Sequence, residues 1–143
     1  MKKNNFNRNT QTVIRTLFVF FFLLAFGVTQ NQIFGQNGNW TAPTSANKMK
    51  NPYAGNEKAT LAGLKLYKQF CAICHGKKGK GDGAAGMALK PRPSNFTKKI
   101  VQQQTDGTIY WKITEGKPPM ATYKETLTEE QRWQLVNYIR SLD

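Results

Sequence analysis

Apolar residues recur at helical spacing along residues 57–70, EKATLAGLKLYKQF, and predict an amphipathic helix there. Asn56 precedes this segment and suits the N-cap, because its side-chain oxygen can accept a hydrogen bond from the first turn. The predicted apolar face consists of Leu61, Leu64, Leu66, Tyr67 and Phe70.

A second helix is predicted at the C-terminus, over residues 129–142, EEQRWQLVNYIRSL. Thr128 and Gln131 have the spacing of a capping box, in which each side chain bonds the backbone N–H of the other. Glu129 and Glu130 fall in the first turn, where the helix dipole favours negative charge. The broad apolar face consists of Trp133, Leu135, Val136, Tyr138, Ile139 and Leu142.

Glycines and prolines dominate the region between these helices and predict long loops. Five glycines fall within residues 76–86, and ALKPRPSNF follows them. A shorter helix is expected over Asp106–Glu115, ended by Gly116 and two prolines. No segment has the alternation of a β-strand. The pattern predicts an all-α fold of three to five helices, whose loops are too long to pack unless something fills the centre.

The first 35 residues have the pattern of a secretory signal peptide. Four basic residues precede the uncharged run LFVFFFLLAFGV, which is shorter than the about 20 residues of a membrane span. We expect cleavage after Gly35; an uncleaved anchor, which would bring membrane contact, is the alternative. Residues 36–56, rich in Asn, Gly, Pro and Ser, are expected to form a flexible lead or tether. One domain then remains, over residues 57–143.

The exported part is strongly basic. Four of the 21 Lys and Arg residues lie in the first 35 positions, which leaves 17 against eight Asp and Glu, a net charge of +9. Such a charge attracts acidic surfaces. Because an exported protein seldom meets nucleic acid, we expect acidic protein partners or an anionic membrane, and no nucleic acid.

The motif CAICH contains Cys71, Cys74 and His75, which are the only cysteines and the only histidine of the chain. C-x-x-C-H is the pattern of covalent haem attachment, in which two thiols one helical turn apart bond the haem vinyl groups. The histidine that follows offers its imidazole to the iron. One copy of the motif predicts one haem c.

The motif is also compatible with three other kinds of site. Structural zinc needs four ligands, and a carboxylate would have to complete the set. A thioredoxin-like redox pair normally begins a helix after a strand, whereas Cys71 follows a predicted helix. A disulfide between positions three apart would constrain little of the chain. Haem attachment is favoured over all three.

The second axial position of the iron has no histidine available, so a methionine thioether is the natural ligand. Met120 is favoured, because it lies 45 residues beyond His75 and two prolines stiffen its approach. Met87, in the glycine-rich loop, is the alternative, and Met49 is expected to belong to the lead. Without a methionine ligand the iron would be open to small molecules.

Residues 57–143 resemble the class I monohaem c-type cytochromes, the small bacterial cytochromes c. The resemblance lies in CAICHGKKGKGDG, in WKITEGKPPM and in LTEEQRWQLVNYIRSL. In that family a glycine and an aromatic residue of the first helix cross an aromatic residue of the last; here these are Gly63, Tyr67 and Tyr138. The resemblance implies the cytochrome c fold, wrapped around one covalently attached haem.

The family also implies a proline carbonyl that holds the N–H of the proximal imidazole. Pro91 fits this role, with Pro93 as the alternative. The sequence departs from the family after the axial methionine, where Ala121 replaces the usual proline. That departure bears on the assignment of Met120.

The resemblance implies a one-electron carrier, not an enzyme, in the bacterial periplasm, soluble or tethered. Its expected partners are acidic redox proteins, namely a quinol-oxidising complex and a terminal oxidase or reductase. Exposed lysines near the haem would steer such encounters. We expect a monomer. A haem c subunit fixed in a larger membrane oxidoreductase complex is one alternative, and a ligand-binding haem protein with open iron is another.

Overall fold

Helices supply the regular structure of residues 40–143, the part of the chain that the computed structural model describes. No strand occurs within this range, so the all-α prediction is confirmed. Three helices match the predicted ones, and three single turns, too short for a periodic signal, raise the number of helices in residues 40–143 to six. The helices are α1 (Thr44–Asn47), α2 (Glu57–Phe70), α3 (Ala72–His75), α4 (Lys99–Gln102), α5 (Asp106–Glu115) and α6 (Glu129–Arg140), with a 3-10 turn over Gly86–Ala88.

The proposed signal peptide, residues 1–35, and positions 36–39 lie outside the described residues, so that prediction stays a prediction. Within residues 40–143, no helix is both long enough and apolar enough to cross a membrane.

The ends of the long helices follow the capping signals of the sequence. The side chain of Asn56 accepts a hydrogen bond from the Ala59 N–H at 3.1 Å, as expected of an N-cap. Thr128 and Gln131 form both bonds of the capping box, with distances of 2.9 and 3.2 Å. These local bonds set where α2 and α6 begin.

The crossing of α2 over α6 organises the fold. Gly63 lies at the contact, where a Cβ atom would overlap the backbone carbonyl of Gln134. The missing side chain lets the two backbones approach closely, which brings the rings of Tyr67 and Tyr138 to 4.8 Å between centroids. The predicted contact of Gly63 and Tyr67 with Tyr138 is therefore confirmed.

The core lies between α2, α5 and α6. Tyr67, Leu135 and Val136 are fully buried. Tyr110 of α5 stacks on Trp133 of α6, with ring centroids 4.0 Å apart. Leu61 departs from the predicted apolar face of α2, because 59% of its surface is exposed.

The segment 40–56 packs on the helical body, so the prediction of a flexible tether is wrong for these residues. Ala46 of α1 is buried, and its carbonyl contacts α5 so closely that a Cβ atom at Gly107 would overlap it. Asn51 donates from Nδ2 to the side-chain oxygen of Asn137 at 2.6 Å. The polar composition of the segment predicts a tether, but the polar side chain of Asn51 bonds a residue that is distant in sequence.

The C-terminal end of α6 is tied to the chain around α4 and α5 by Arg140. Its guanidinium forms an ion pair with Asp106 at 2.7 Å. It also donates to the backbone carbonyls of Gln102, at 2.6 Å, and of Gln104. This arginine therefore holds the loop that joins α4 to α5.

The close crossing leads to a prediction for Gly63→Ala. The added methyl group meets backbone atoms, so the helices must separate, and overpacking of this kind costs about 1–3 kcal/mol. Because the methyl group overlaps backbone atoms that cannot rotate away, the cost lies toward the upper end of this range. The gain in helix propensity, about 1 kcal/mol, then offsets only part of it. Denaturant unfolding of the haem-loaded protein should therefore give a lower midpoint.

Leu61→Ala, on the same helix, is the matched control. Because Leu61 is mostly exposed, we expect a change within about 0.5 kcal/mol. Equal stability of Gly63→Ala and the natural protein would contradict the close crossing.

Candidate functional site

The single turn α3 brings the two cysteines and the histidine together. Cys71 is both the C-cap of α2 and the N-cap of α3, so it joins the two helices. Its carbonyl accepts hydrogen bonds from the N–H groups of Cys74, at 3.1 Å, and His75, at 2.8 Å. Cys71 and Cys74 thus lie one helical turn apart, with the imidazole directly after the second thiol.

Both cysteines are free thiols and partly exposed. Burial raises the pKa of the Cys71 thiol to about 12, and the neighbouring Cys74 adds to the rise. A redox pair of the thioredoxin type needs the opposite, a thiol whose pKa is lowered so that the thiolate can attack. The raised pKa of Cys71 therefore argues against a redox pair.

The imidazole of His75 is oriented by one backbone carbonyl. Nδ1 lies 3.2 Å from the oxygen of Ser94, and because a carbonyl only accepts, Nδ1 carries the proton. Burial lowers the pKa of His75, while the Ser94 carbonyl acts in the opposite direction. A neutral ring that donates from Nδ1 leaves the lone pair of Nε2 free for a metal.

The prediction of Pro91 or Pro93 as the partner of His75 is wrong, since the acceptor is the carbonyl of Ser94. The carbonyl of Pro93 instead faces Gly81, where a Cβ atom would overlap it. The carbonyl that accepts from the imidazole therefore belongs to the residue directly after Pro93.

The glycine-rich loop folds back on α3 and supports it. The N–H of Gly81 donates to the carbonyl of His75 at 2.8 Å, and the N–H of Gly83 donates to that of Cys74 at 3.2 Å. A Cβ atom at Gly83 would overlap the carbonyl of Ile73. Glycine is thus needed at this point for close approach, and the loop satisfies carbonyls that a helix end would leave open.

Two aromatic side chains fix the position of this turn. The hydroxyl of Tyr67 is buried and donates to the carbonyl of Gly76 at 2.7 Å, which ties α2 to the residue after His75. Phe96 stacks on the imidazole of His75, with centroids 4.3 Å apart and planes at 17°. Phe96 also packs edge-on against Tyr67, so the imidazole is held from one side by a connected aromatic cluster.

A zinc site would need a further ligand beside the motif. Within residues 40–143, no group of three or more His, Cys, Asp or Glu side chains could hold a metal ion. Asp82, whose carboxylate lies against Gly76, does not complete such a group with CAICH.

Met120 lies in a tight turn between α5 and α6. Its N–H donates to the carbonyl of Lys117 at 2.8 Å, and its carbonyl accepts from the N–H of Lys117 at 3.1 Å. The turn is joined to the CAICH region through Tyr123, whose hydroxyl donates to the carbonyl of Phe70 at 3.1 Å. Burial raises the pKa of Tyr123, and Cys71 and Cys74 add to the rise. Its ring also packs edge-on against Phe70, with centroids 6.1 Å apart.

The other two methionines have different surroundings. Met87 belongs to the 3-10 turn, is 48% exposed, and has its sulfur 3.6 Å from Nη1 of Arg92. Its neighbour Gly86 packs against the backbone of Cys74. Met49 lies against the first turn of α5, at Gly107.

Sequence reasoning missed three residues that shape this site, namely Ser94, Phe96 and Tyr123. Phe96 and Tyr123 stand out as aromatic residues in polar loops, and that signal could have found them. Ser94 acts through its backbone carbonyl, which every residue type possesses, so no sequence signal was available.

Cys71, Cys74 and His75 fit covalent haem attachment. The thiols are free and one turn apart, and the neutral imidazole after them has an unbonded Nε2. These residues could hold a haem by two thioether bonds and one axial bond. No other described side chains offer this donor set.

A family model described as cytochrome c oxidase, cbb3-type, subunit III, matches residues 58–139, which is more than half of the chain. This range begins in α2 and ends in α6, so it contains the CAICH turn and Met120. A search of curated proteins found no match.

Two solved structures are similar to this chain. A chain of the reducing HAO-like protein complex Kustc0457/Kustc0458 of Kuenenia stuttgartiensis has 27% identity and a TM-score of 0.53 over 66% of this chain. This chain spans about half of that one, 46% of its length. The KustC0563 c-type cytochrome has 35% identity over 56% of this chain and 95% of its own, with a TM-score of 0.48.

The family match and the fold agree with the geometry of the CAICH turn. The family implies covalently attached haem c with its iron as the cofactor, and one CAICH motif provides for one such group. The chain belongs to the family of the cbb3-type cytochrome c oxidase subunit III domain, and it is a small monohaem c-type cytochrome.

Proposed function

We propose that this chain is an exported one-electron carrier, with haem c bonded to Cys71 and Cys74 and with His75 and Met120 as axial ligands of the iron. The hydrogen bond between His75 Nδ1 and the Ser94 carbonyl carries the proposal. Burial keeps the imidazole neutral, and this bond orients the ring with its proton on Nδ1. The lone pair of Nε2 would then be available to the haem iron directly after the two thiols.

The position of the glycine-rich loop supports Met120 over Met87. With the residues that follow it, this loop spans residues 76–98 and supplies Ser94 and Phe96, which bond and stack on His75. It would therefore lie on the same side of the haem as His75. A second ligand to the haem iron would have to come from a part of the chain other than the loop that holds the imidazole. Met87 belongs to that loop, whereas Met120 belongs to a separate turn that contacts the CAICH region through Tyr123.

When bound, haem c supplies a reversible one-electron change at iron. The chain's own residues hold and shield it. Tyr67, Phe96 and Tyr138 form an aromatic cluster beside the CAICH turn, which would shield the His75 side of the haem from water. No acid, base or nucleophile is required for this role, so we propose a carrier rather than an enzyme.

Lysine side chains favour acidic redox partners. Lys77, Lys78 and Lys80 directly follow the CAICH motif, and all three are exposed. Positive charge beside the haem raises the rate of encounter with an acidic surface and makes that rate depend on ionic strength. We propose a quinol-oxidising complex and a terminal oxidase or reductase as partners, in the bacterial periplasm.

A fixed haem c subunit is the second candidate. The matching family is described as an oxidase subunit, and one similar structure belongs to a protein complex. Purification of the full chain from its host under mild detergent separates the candidates. A carrier should elute as a monomer, whereas a subunit should elute with a stoichiometric membrane oxidoreductase.

The axial assignment predicts that Met120→Ala loses the weak ferric absorption band that a thioether–iron bond produces at the red end of the visible spectrum. The reduction potential should fall, because a thioether ligand favours ferrous iron. A visible spectrum and a redox titration of the purified protein measure both changes.

Met87→Ala is the matched control and should keep the band and the potential. Loss of the band in Met87→Ala alone would overturn the assignment of Met120. A natural protein that is high-spin and binds carbon monoxide rapidly would contradict the carrier and favour open iron.

The lysine surface predicts slower reaction with anions when Lys77, Lys78 and Lys80 are all replaced by glutamine. Oxidation of the reduced protein by ferricyanide should slow by about tenfold at low ionic strength, because electrostatic steering is lost. Stopped-flow measurement over a range of salt concentrations gives this rate.

The triple replacement of Lys48, Lys50 and Lys58 by glutamine removes the same charge elsewhere on the exposed surface. It should slow the reaction much less. Equal slowing by both variants would mean that net charge, and not the lysines beside the motif, governs the encounter.

A further inference from the structure

Arg132 is buried although it carries a permanent charge. Its exposed fraction is 9%, and no carboxylate is among its partners within residues 40–143. In the absence of a counter-ion, the charge must be stabilised by dipoles. A buried cation without a counter-ion is costly and indicates a specific role.

The partners of Arg132 are backbone carbonyls of one loop. Nη1 donates to the carbonyls of Leu127, at 2.7 Å, and Lys124, at 2.8 Å, and lies 3.4 Å from that of Tyr123. Nε and Nη2 point to the hydroxyl of Tyr110, at 3.4 and 3.0 Å. The guanidinium therefore joins α5 and α6 to the segment 123–127.

This segment directly follows the turn that holds Met120. Tyr123 is three residues beyond Met120, and its N–H donates to the carbonyl of Ile113 at 3.2 Å. Its hydroxyl bonds the carbonyl of Phe70, next to Cys71. Arg132 thus bonds the backbone of the segment that begins at Tyr123, the residue that joins the Met120 turn to the haem-attachment turn.

We propose that Arg132 is the positioning residue of the Met120 turn, and that its carbonyl contacts hold the thioether on the iron against competing ligands. This inference rests on the proposed axial role of Met120. The planar guanidinium directs several N–H donors in fixed directions, and a lysine ammonium cannot reproduce them. Lysine should therefore restore part of the effect by charge alone.

Arg140 provides the matched control. It lies two turns further along α6 and also donates to backbone carbonyls, but these belong to Gln102 and Gln104. Its replacement removes a comparable set of bonds and leaves the segment 123–127 intact. A general loss of stability would therefore appear in both variants, and a loss of positioning only in the Arg132 variants.

The test is binding of imidazole to the ferric haem-loaded protein, which displaces the methionine. Imidazole affinity should rise by about tenfold in Arg132→Met, the effect of losing a hydrogen bond to a charged group. The imidazole affinity of Arg132→Lys should lie between those of the natural protein and Arg132→Met. Arg140→Met should change the affinity less than about twofold. The ferric thioether band and the thermal midpoint are recorded for each variant.

Unchanged imidazole affinity in Arg132→Lys and Arg132→Met would overturn the proposal, as would an equal rise in Arg140→Met. If Arg132→Met does not fold, Arg132→Lys against Arg140→Lys decides by the same criterion. Failure of the axial assignment is recognised separately. In that case the natural protein lacks the thioether band, and Met120→Ala binds imidazole as the natural protein does, so the proposal falls with it.

Discussion

The close crossing of α2 and α6 is the constraint on which the rest of the structure depends. Gly63 permits it, and the buried Tyr67 then lies between Tyr138 and the turn that contains CAICH. Because Tyr67 bonds the residue after His75, the helix crossing fixes the orientation of the haem-binding turn. Packing and function are thus connected by one buried side chain.

Two loops hold the two sides of the proposed site, and each does so through backbone carbonyls. On one side, Ser94 accepts from the imidazole of His75. On the other, Arg132 donates to the segment that follows Met120. Irregular backbone can hold an exact position only when its polar groups are bonded, and both loops meet that condition here.

The sequence predicts the long helices and the haem motif well, because their signals are local. The caps at Asn56 and Thr128 and the spacing of CAICH depend on residues within one or two turns of each other. The remaining features depend on distant contacts. Residues 40–56 read as a tether, yet Ala46 and Asn51 pack on α5 and α6, and the acceptor for His75 is a carbonyl that no residue type marks.

The central claim is that His75 and Met120 ligate one low-spin iron. Proton NMR of the reduced protein, with its methionine methyl groups labelled with carbon-13, tests it most directly. Ligation predicts one methionine methyl resonance shifted far upfield by the haem ring current, and its absence in Met120→Ala would assign it. A shifted resonance that disappears instead in Met87→Ala, or no shifted methyl at all, would contradict the claim.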